Sequence, residues 1–194
     1  MDNKKPTLLV FAGPNGSGKS TVTKMLDVAG VYINADNIQA AMHCDTLSAA
    51  RIAEEQRNKC LEGKLDFTFE TVFSTRTKLD FLTKAKQQGY FIKCFYILTA
   101  DPGVNISRVE VRVRSGGHDV PEDKIVSRYY KALSLIPELV SICDIINIYD
   151  NTKQPCRIFS KKKDTFRVFE NPYWNETQIA KLTKISAYTL IKLE

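Results

Sequence analysis

The feature that most constrains this chain is a glycine-spaced loop at the end of a short apolar run. Thr7 to Ala12 reads as a strand and passes directly into Gly13-Pro14-Asn15-Gly16-Ser17-Gly18-Lys19-Ser20, after which Thr21 and Val22 continue a helical stretch. This spacing, between a strand and a helix, is that of a loop that cradles the phosphates of a nucleoside triphosphate. Gly13, Gly16 and Gly18 free the backbone to curl so that its N–H groups point inward, and the following helix turns its positive end toward the same place. Lys19 is spaced to reach the β- and γ-phosphates, and the Ser20 hydroxyl to ligate Mg²⁺. Gly13 through Thr21 is therefore the expected ATP-binding segment. A turn that merely joins strand to helix is the alternative, and the agreement of spacing with context argues against it.

Beyond the loop, strand and helix signals alternate, which predicts an α/β fold with a parallel sheet. Strands are expected at Thr7 to Ala12, Tyr32 to Asn34, Asp66 to Phe69, Ile92 to Leu98 and Ile145 to Tyr149. Helices are expected over Lys19 to Ala29, Ser48 to Glu62, Thr77 to Gln88 with Gly89 as its stop, and Glu122 to Leu133 after Pro121. Arg157 to Ser160 and Thr165 to Phe169 bracket a Lys-Lys-Asp turn and predict an antiparallel hairpin at the sheet edge. Asn175 is placed to cap a last helix from Glu176 through Ile191, where Ile179, Leu182 and Ile185 recur at helical spacing. No repeat or linker divides the 194 residues, so one three-layer domain of the P-loop kinase type is expected, with a five-stranded parallel core and a C-terminal hairpin and helix.

A phosphate cradle serves motors, switches, transporters and kinases alike, so other residues must name the chemistry. Asp36 follows the second strand, on the sheet edge where α/β proteins bind ligands, and a carboxylate there can take a proton from an acceptor hydroxyl. Helix N-cap is its equally weighted alternative. Glu70 and Thr71 end the third strand on the same edge and suit contact with substrate hydroxyls or a magnesium-bound water. Arg128, farther on, is expected to serve the substrate or the lid, while Arg108 and Arg112 share a helix face beside Gly116-Gly117. A closing segment over residues 108–121 could deliver these guanidinium groups to the transferring phosphoryl group; a solvated basic helix with Glu110 as partner is the competing reading. His118 has no second ligand at metal spacing and reads as a structural histidine.

Composition narrows the partners. A net charge of +6 suits anionic ligands without demanding nucleic acid or membrane, and the one tight basic run, Lys161-Lys162-Lys163, reads as a solvated turn. No aromatic and basic platform for single strands is apparent. Cys44, Cys60, Cys94, Cys143 and Cys156 are odd in number and never at Cys-x-x-Cys spacing, which suggests reduced thiols. With neither a signal-peptide pattern nor a membrane-length apolar stretch, a cytoplasmic protein is expected.

The ordered set of Gly13 to Thr21, Ile33 to Ile38, Phe69-Glu70-Thr71, Gly89-Tyr90, Arg108 to Leu133, Tyr149-Asp150-Asn151 and Asn171 to Trp174 resembles the zeta toxin-like P-loop ATPase/kinase family over nearly the whole chain. The Gly-Gly-His-x-Val-Pro segment looks like that of its shorter relatives. The resemblance implies a P-loop kinase fold and ATP-dependent phosphorylation of UDP-N-acetylglucosamine on its sugar. It also implies silencing by an antitoxin protein that blocks the nucleotide site. Carried over by residue, it implies a catalytic base at Asp36, phosphate binding at Lys19 and Ser20, substrate contact at Glu70 and phosphate stabilisation at Arg108 and Arg112. A nucleotide-dependent switch without a dedicated acceptor and a polynucleotide kinase are the alternatives.

Overall fold

In the computed structural model, which describes residues 5–117, 119–186 and the backbone of 190–192, the chain folds around one eight-stranded sheet. Its strands are β1 (Thr7–Ala12), β2 (Val31–Ile33), β3 (Phe67–Thr71), β4 (Phe91–Leu98), β5 (Ile145–Asp150), β6 (Cys156–Lys162), β7 (Thr165–Val168) and β8 (Leu190–Lys192). They lie in the order β2-β3-β1-β4-β5-β6-β7-β8. The first five are mutually parallel, β5–β6 and β6–β7 are antiparallel, and β7–β8 is parallel. The expected parallel core and hairpin are both present.

Strand burial explains the layering. In β1, Leu8, Val10 and Ala12 face one side and Leu9 and Phe11 the other, all of them buried, as a parallel strand covered on both faces requires. The even-numbered side meets the larger core, built with α3 (Thr46–Glu62), α4 (Arg76–Gln87), α7 (Ile136–Ile142) and α8 (Glu176–Thr183). Phe67, Phe69, Phe81 and Tyr90 interlock there in edge-to-face and stacked pairs with centroids 5.8 to 6.4 Å apart. The odd-numbered side packs Leu9, Phe11, Phe95 and Ile97 against Val22 of α1 (Lys19–Thr23). The remaining helices are α2 (Ala35–Met42), α5 (Pro102–Arg114) and α6 (Glu122–Ser134).

Local signals set most boundaries. Asp45 caps α3 and Asp101 caps α5, with Pro102 in its first turn. Asn175 and Gln178 form a full capping box on α8. Gly89, at φ 88°, takes the left-handed turn that ends α4.

Several expectations need correction. The first helix does not run to Ala29: after Thr23 the amides of Met25 and Leu26 bond three residues back, and the chain leaves as turns that seat Leu26 and Ala29 on the smaller core. The last helix does not reach Ile191. Lys184, at φ 55°, ends it after Thr183, and Leu190–Lys192 instead extends the sheet beside β7. Lys163-Asp164 makes the hairpin turn, whereas Lys161 lies in β6 and donates to the carbonyls of Val140 (2.5 Å) and Ser141 (3.2 Å) at the end of α7. It caps that helix rather than standing in solvent. His118 lies outside the described residues. No helix among the described residues is long and apolar enough to cross a membrane.

Candidate active site

Parallel register brings the chemistry to one edge. Ala12 pairs with Thr71 on one side and Tyr96 on the other, so β1 and β3 end level while β4 runs on to Leu98, and the glycine loop rises from the tip of β1. Gly13 N–H donates to the Thr71 carbonyl, anchoring the loop to β3. Gly13, Gly16 and Gly18 have φ of 145°, 74° and 87°. A Cβ would lie 1.9 Å from the Ile97 carbonyl oxygen at Gly13 and 2.4 Å from that of Asn105 at Gly16, so both close approach and backbone conformation require glycine. Among the described residues, the N–H groups of Gly16, Gly18, Lys19 and Ser20 donate to no backbone carbonyl. These open donors, in a curled loop with a lysine, fit a phosphate chain.

Lys19 is half-buried and its Nζ donates to the carbonyls of Gly13 (2.8 Å) and Pro14 (3.0 Å). Burial pulls its pKa down to about 8, opposed by the negative charges of Glu70 and Asp36 and aided by Arg112. Ser20 Oγ donates to Glu70 Oε2 at 3.3 Å, and Tyr32 Oη donates to Glu70 Oε1 at 2.5 Å. Desolvation, and then the bond to Glu70, push the Tyr32 phenol upward, so it remains a donor that fixes this carboxylate. A hydroxyl and a carboxylate oxygen this close, beside a phosphate cradle, form an oxygen donor set suited to Mg²⁺.

Asp36 occupies the first turn of α2, and the cap of that helix is Asn34. Asn34 Oδ1 accepts from the amides of Asp36 (2.8 Å) and Asn37 (3.3 Å). The N-cap reading of Asp36 is therefore overturned, because its neighbour does that work. Its carboxylate is left exposed on a cleft of about 750 Å³ also lined by Lys19, Ser20, Glu70, Thr71 and Arg108. That volume is in the range of small-molecule sites. Thr71 serves the loop geometry as well, with its Oγ1 accepting from Phe73 N–H.

Arg112 and Arg128 reach the same cleft. Arg108 does not pair with Glu110: its Nη2 donates to the Thr152 carbonyl at 3.2 Å, and its Nη1 is buried without a partner. Arg128 Nη1 lies 3.4 Å from Asn15 Oδ1, against the loop rather than the far wall. At Gly116, φ 82°, α5 ends, and Gly117 N–H returns to the Arg112 carbonyl. Among the described residues no cluster of His, Cys, Asp and Glu could hold a metal by itself.

Sequence reasoning missed the residues that brace the loop. Asn105, fully buried on α5, donates to the Asn15 carbonyl and accepts from Thr99, whose carbonyl takes the Tyr129 hydroxyl at 2.6 Å. Asn151 Nδ2 donates to the Ser17 carbonyl at 2.8 Å and would sit 2.3 Å from a Cβ at Gly18. Asn151 stood in the Tyr149-Asp150-Asn151 motif with no role assigned to it, and Asn105 offered no signal. Asn151→Ala should strand a buried carbonyl at a cost of about 1–3 kcal/mol. We expect a lower melting temperature and weaker ATP binding, read by thermal denaturation and calorimetry; unchanged values in both would remove Asn151 as a brace.

Comparison with known proteins accords with this geometry. Residues 1–164 match the Zeta toxin family. An uncharacterized protein of Haemophilus influenzae is 28% identical over 135 residues, which cover 66% of this chain and 94% of that protein. A structure from the PezAT chromosomal toxin-antitoxin system of Streptococcus pneumoniae superposes with a TM-score of 0.57 at 17% identity, covering 80% of this chain and 72% of that one. The AvrRxo1-ORF1:-ORF2 complex with ATP gives 0.70 at 13% identity, covering 94% and 64% respectively. With its glycine loop, its parallel core and a family match over most of its length, the chain belongs to the Zeta toxin family of P-loop kinases.

Proposed function

We propose that this protein transfers the γ-phosphate of ATP to a hydroxyl of a small molecule, with a nucleotide sugar of the UDP-N-acetylglucosamine kind as the acceptor. The observation that carries this reading is the convergence of Lys19, Ser20, Glu70, Asp36, Arg108 and Arg112 on a single cleft. In the proposed step the acceptor oxygen attacks the γ-phosphorus, the bond from that phosphorus to the β–γ bridging oxygen breaks, and ADP leaves with the electron pair. The acceptor's proton passes to Asp36. Lys19 and the arginines hold the charge that develops, and transfer of this kind rests mainly on such positioning and electrostatics. Ser20 and Glu70 would hold Mg²⁺, which when bound supplies positive charge against the phosphate oxygens. By kinship with the PezAT system we also propose a protein antitoxin as partner.

The test is mass spectrometry of nucleotide sugars, sugars, nucleosides and oligonucleotides incubated with protein, ATP and Mg²⁺. Phosphate appearing on UDP-N-acetylglucosamine supports the reading; ATP binding without any phosphorylated acceptor would favour a nucleotide-dependent switch. Glu70→Gln keeps the shape and removes the negative charge that Glu70 brings to this donor set. It should raise the Mg²⁺ concentration needed for half-maximal transfer by about tenfold, since bonds to charged groups carry roughly 1.5–3 kcal/mol. An unchanged Mg²⁺ titration would reassign Glu70 to the acceptor.

A further inference from the structure

The far wall of the cleft carries two cations that the reaction above does not use. Arg57, on α3, is only 6% exposed, and its guanidinium lies over Phe69 at 5.3 Å and Phe81 at 5.9 Å. Lys78, in the first turn of α4, lines the same wall. Neither side chain has a hydrogen-bonding or salt-bridging partner among the described residues. Glu54, exposed on α3 one turn before Arg57, is the acid whose field reaches both, while the two cations work against one another. Burial pushes both groups below their ordinary pKa.

A buried arginine normally has a carboxylate or carbonyl to satisfy its forked donors. Stacking on aromatic rings holds this guanidinium in place but leaves its N–H groups unspent. These cations also stand apart from the phosphate cradle. Successive residues of β3 face opposite sides of the sheet, so Phe69, beneath Arg57, points away from the side on which Glu70 meets Ser20. Asp36 lines the same cleft as both cations.

We infer that Arg57 and Lys78 form a second anion subsite, which binds a phosphate or diphosphate group of the acceptor and so turns its hydroxyl toward Asp36. The acceptor is then a phosphate ester rather than a free sugar or nucleoside. This deepens the kinase reading and rests on it for the word acceptor, whereas the binding site itself can be tested without turnover.

Protein saturated with Mg²⁺ and a non-hydrolysable ATP analogue, so that the cradle is filled, is titrated with UDP and with uridine by calorimetry. Wild type should bind UDP at least about tenfold more tightly than uridine, as hydrogen bonds to ionised groups imply. That preference should fall by about 10-fold in Lys78→Gln and by about 10- to 100-fold in Arg57→Met, which keeps the packing over the two phenylalanines. Arg57→Lys should retain part of it, and the ATP analogue's affinity should stay within about twofold. If Arg57→Met does not fold, Lys78→Gln decides. Absence of a UDP preference in wild type, or a preference undiminished in the variants, overturns the subsite. A blank phosphorylation screen alongside a UDP preference that depends on these cations would retire the kinase reading and leave the subsite standing.

Discussion

Asp36→Asn is expected to leave nucleotide binding in place and to cut phosphoryl transfer by about 10²–10⁴-fold, the usual span for a positioned acid or base. The substitution changes little but charge. The Asp36 backbone is held by its own N–H to Asn34 Oδ1, so the new amide would sit where the carboxylate was, able to touch a hydroxyl but not to accept its proton. Nucleotide affinity should move little because the cradle N–H groups and Lys19 belong to a different segment. Asp36 does favour the protonated form of Lys19, so a small change is expected, in the direction of a lower Lys19 pKa. Measurement of kcat, KM for the acceptor and Kd for ATP separates the outcomes. Turnover within a few fold of wild type would sink the base assignment. Loss of ATP affinity in step with kcat would instead make Asp36 an electrostatic partner of Lys19. Asn34→Ala serves as an internal contrast: it removes the cap at a cost of about 0.5–2 kcal/mol and should lower kcat by loosening the turn that carries Asp36.

Much of this arrangement was legible in the sequence because it rests on local rules. The glycine loop announces itself by spacing, the strand before it by an unbroken apolar run, and the start of α8 by the cap residue Asn175. Burial on both faces made β1 a continuous apolar segment, and register then carried Glu70 and Asp36 to the loop's edge. What escaped depends on neighbours distant in sequence. Asp36 and Asn34 are both good N-caps, and only the folded turn decides between them. The end of α8 hid behind helical spacing at Ile185, because β7 offers Leu190–Lys192 a strand partner that no local signal reveals. Arg57 lies on an amphipathic helix where an arginine reads as solvated surface; its burial follows from Phe69 and Phe81, which other elements bring over it. The bracing asparagines, 105 and 151, are likewise defined by carbonyls of the loop. Backbone geometry was thus announced locally, and the polar groups that stiffen it were set by tertiary contact.

Lys19→Met carries the second large effect and a signature of its own. Removing a fixed donor from the transferring phosphate should cost about 10²–10³ in kcat, on the scale of losing one oxyanion-stabilising group. The distinctive outcome lies in pH. With its ammonium drawn down to about 8 from 10.5, Lys19 in the nucleotide-free protein loses its proton over a range where the unfolded chain keeps it. Between about pH 8 and 10.5 the unfolded state binds more protons, so this residue's contribution makes the free protein more stable as pH rises through that window. Phosphates reverse the balance, because their negative charge favours the ammonium and binding must return the proton. ATP affinity should therefore fall as pH climbs above about 8, by up to about tenfold per unit, with proton uptake visible as a buffer-dependent heat in calorimetry. In Lys19→Met both the slope and the buffer dependence should vanish, while binding below pH 8 weakens. A wild-type affinity that stays flat between pH 7 and 9.5, or a variant that keeps the same slope, would show that another group takes up the proton and that Lys19 does not meet the triphosphate as an ammonium.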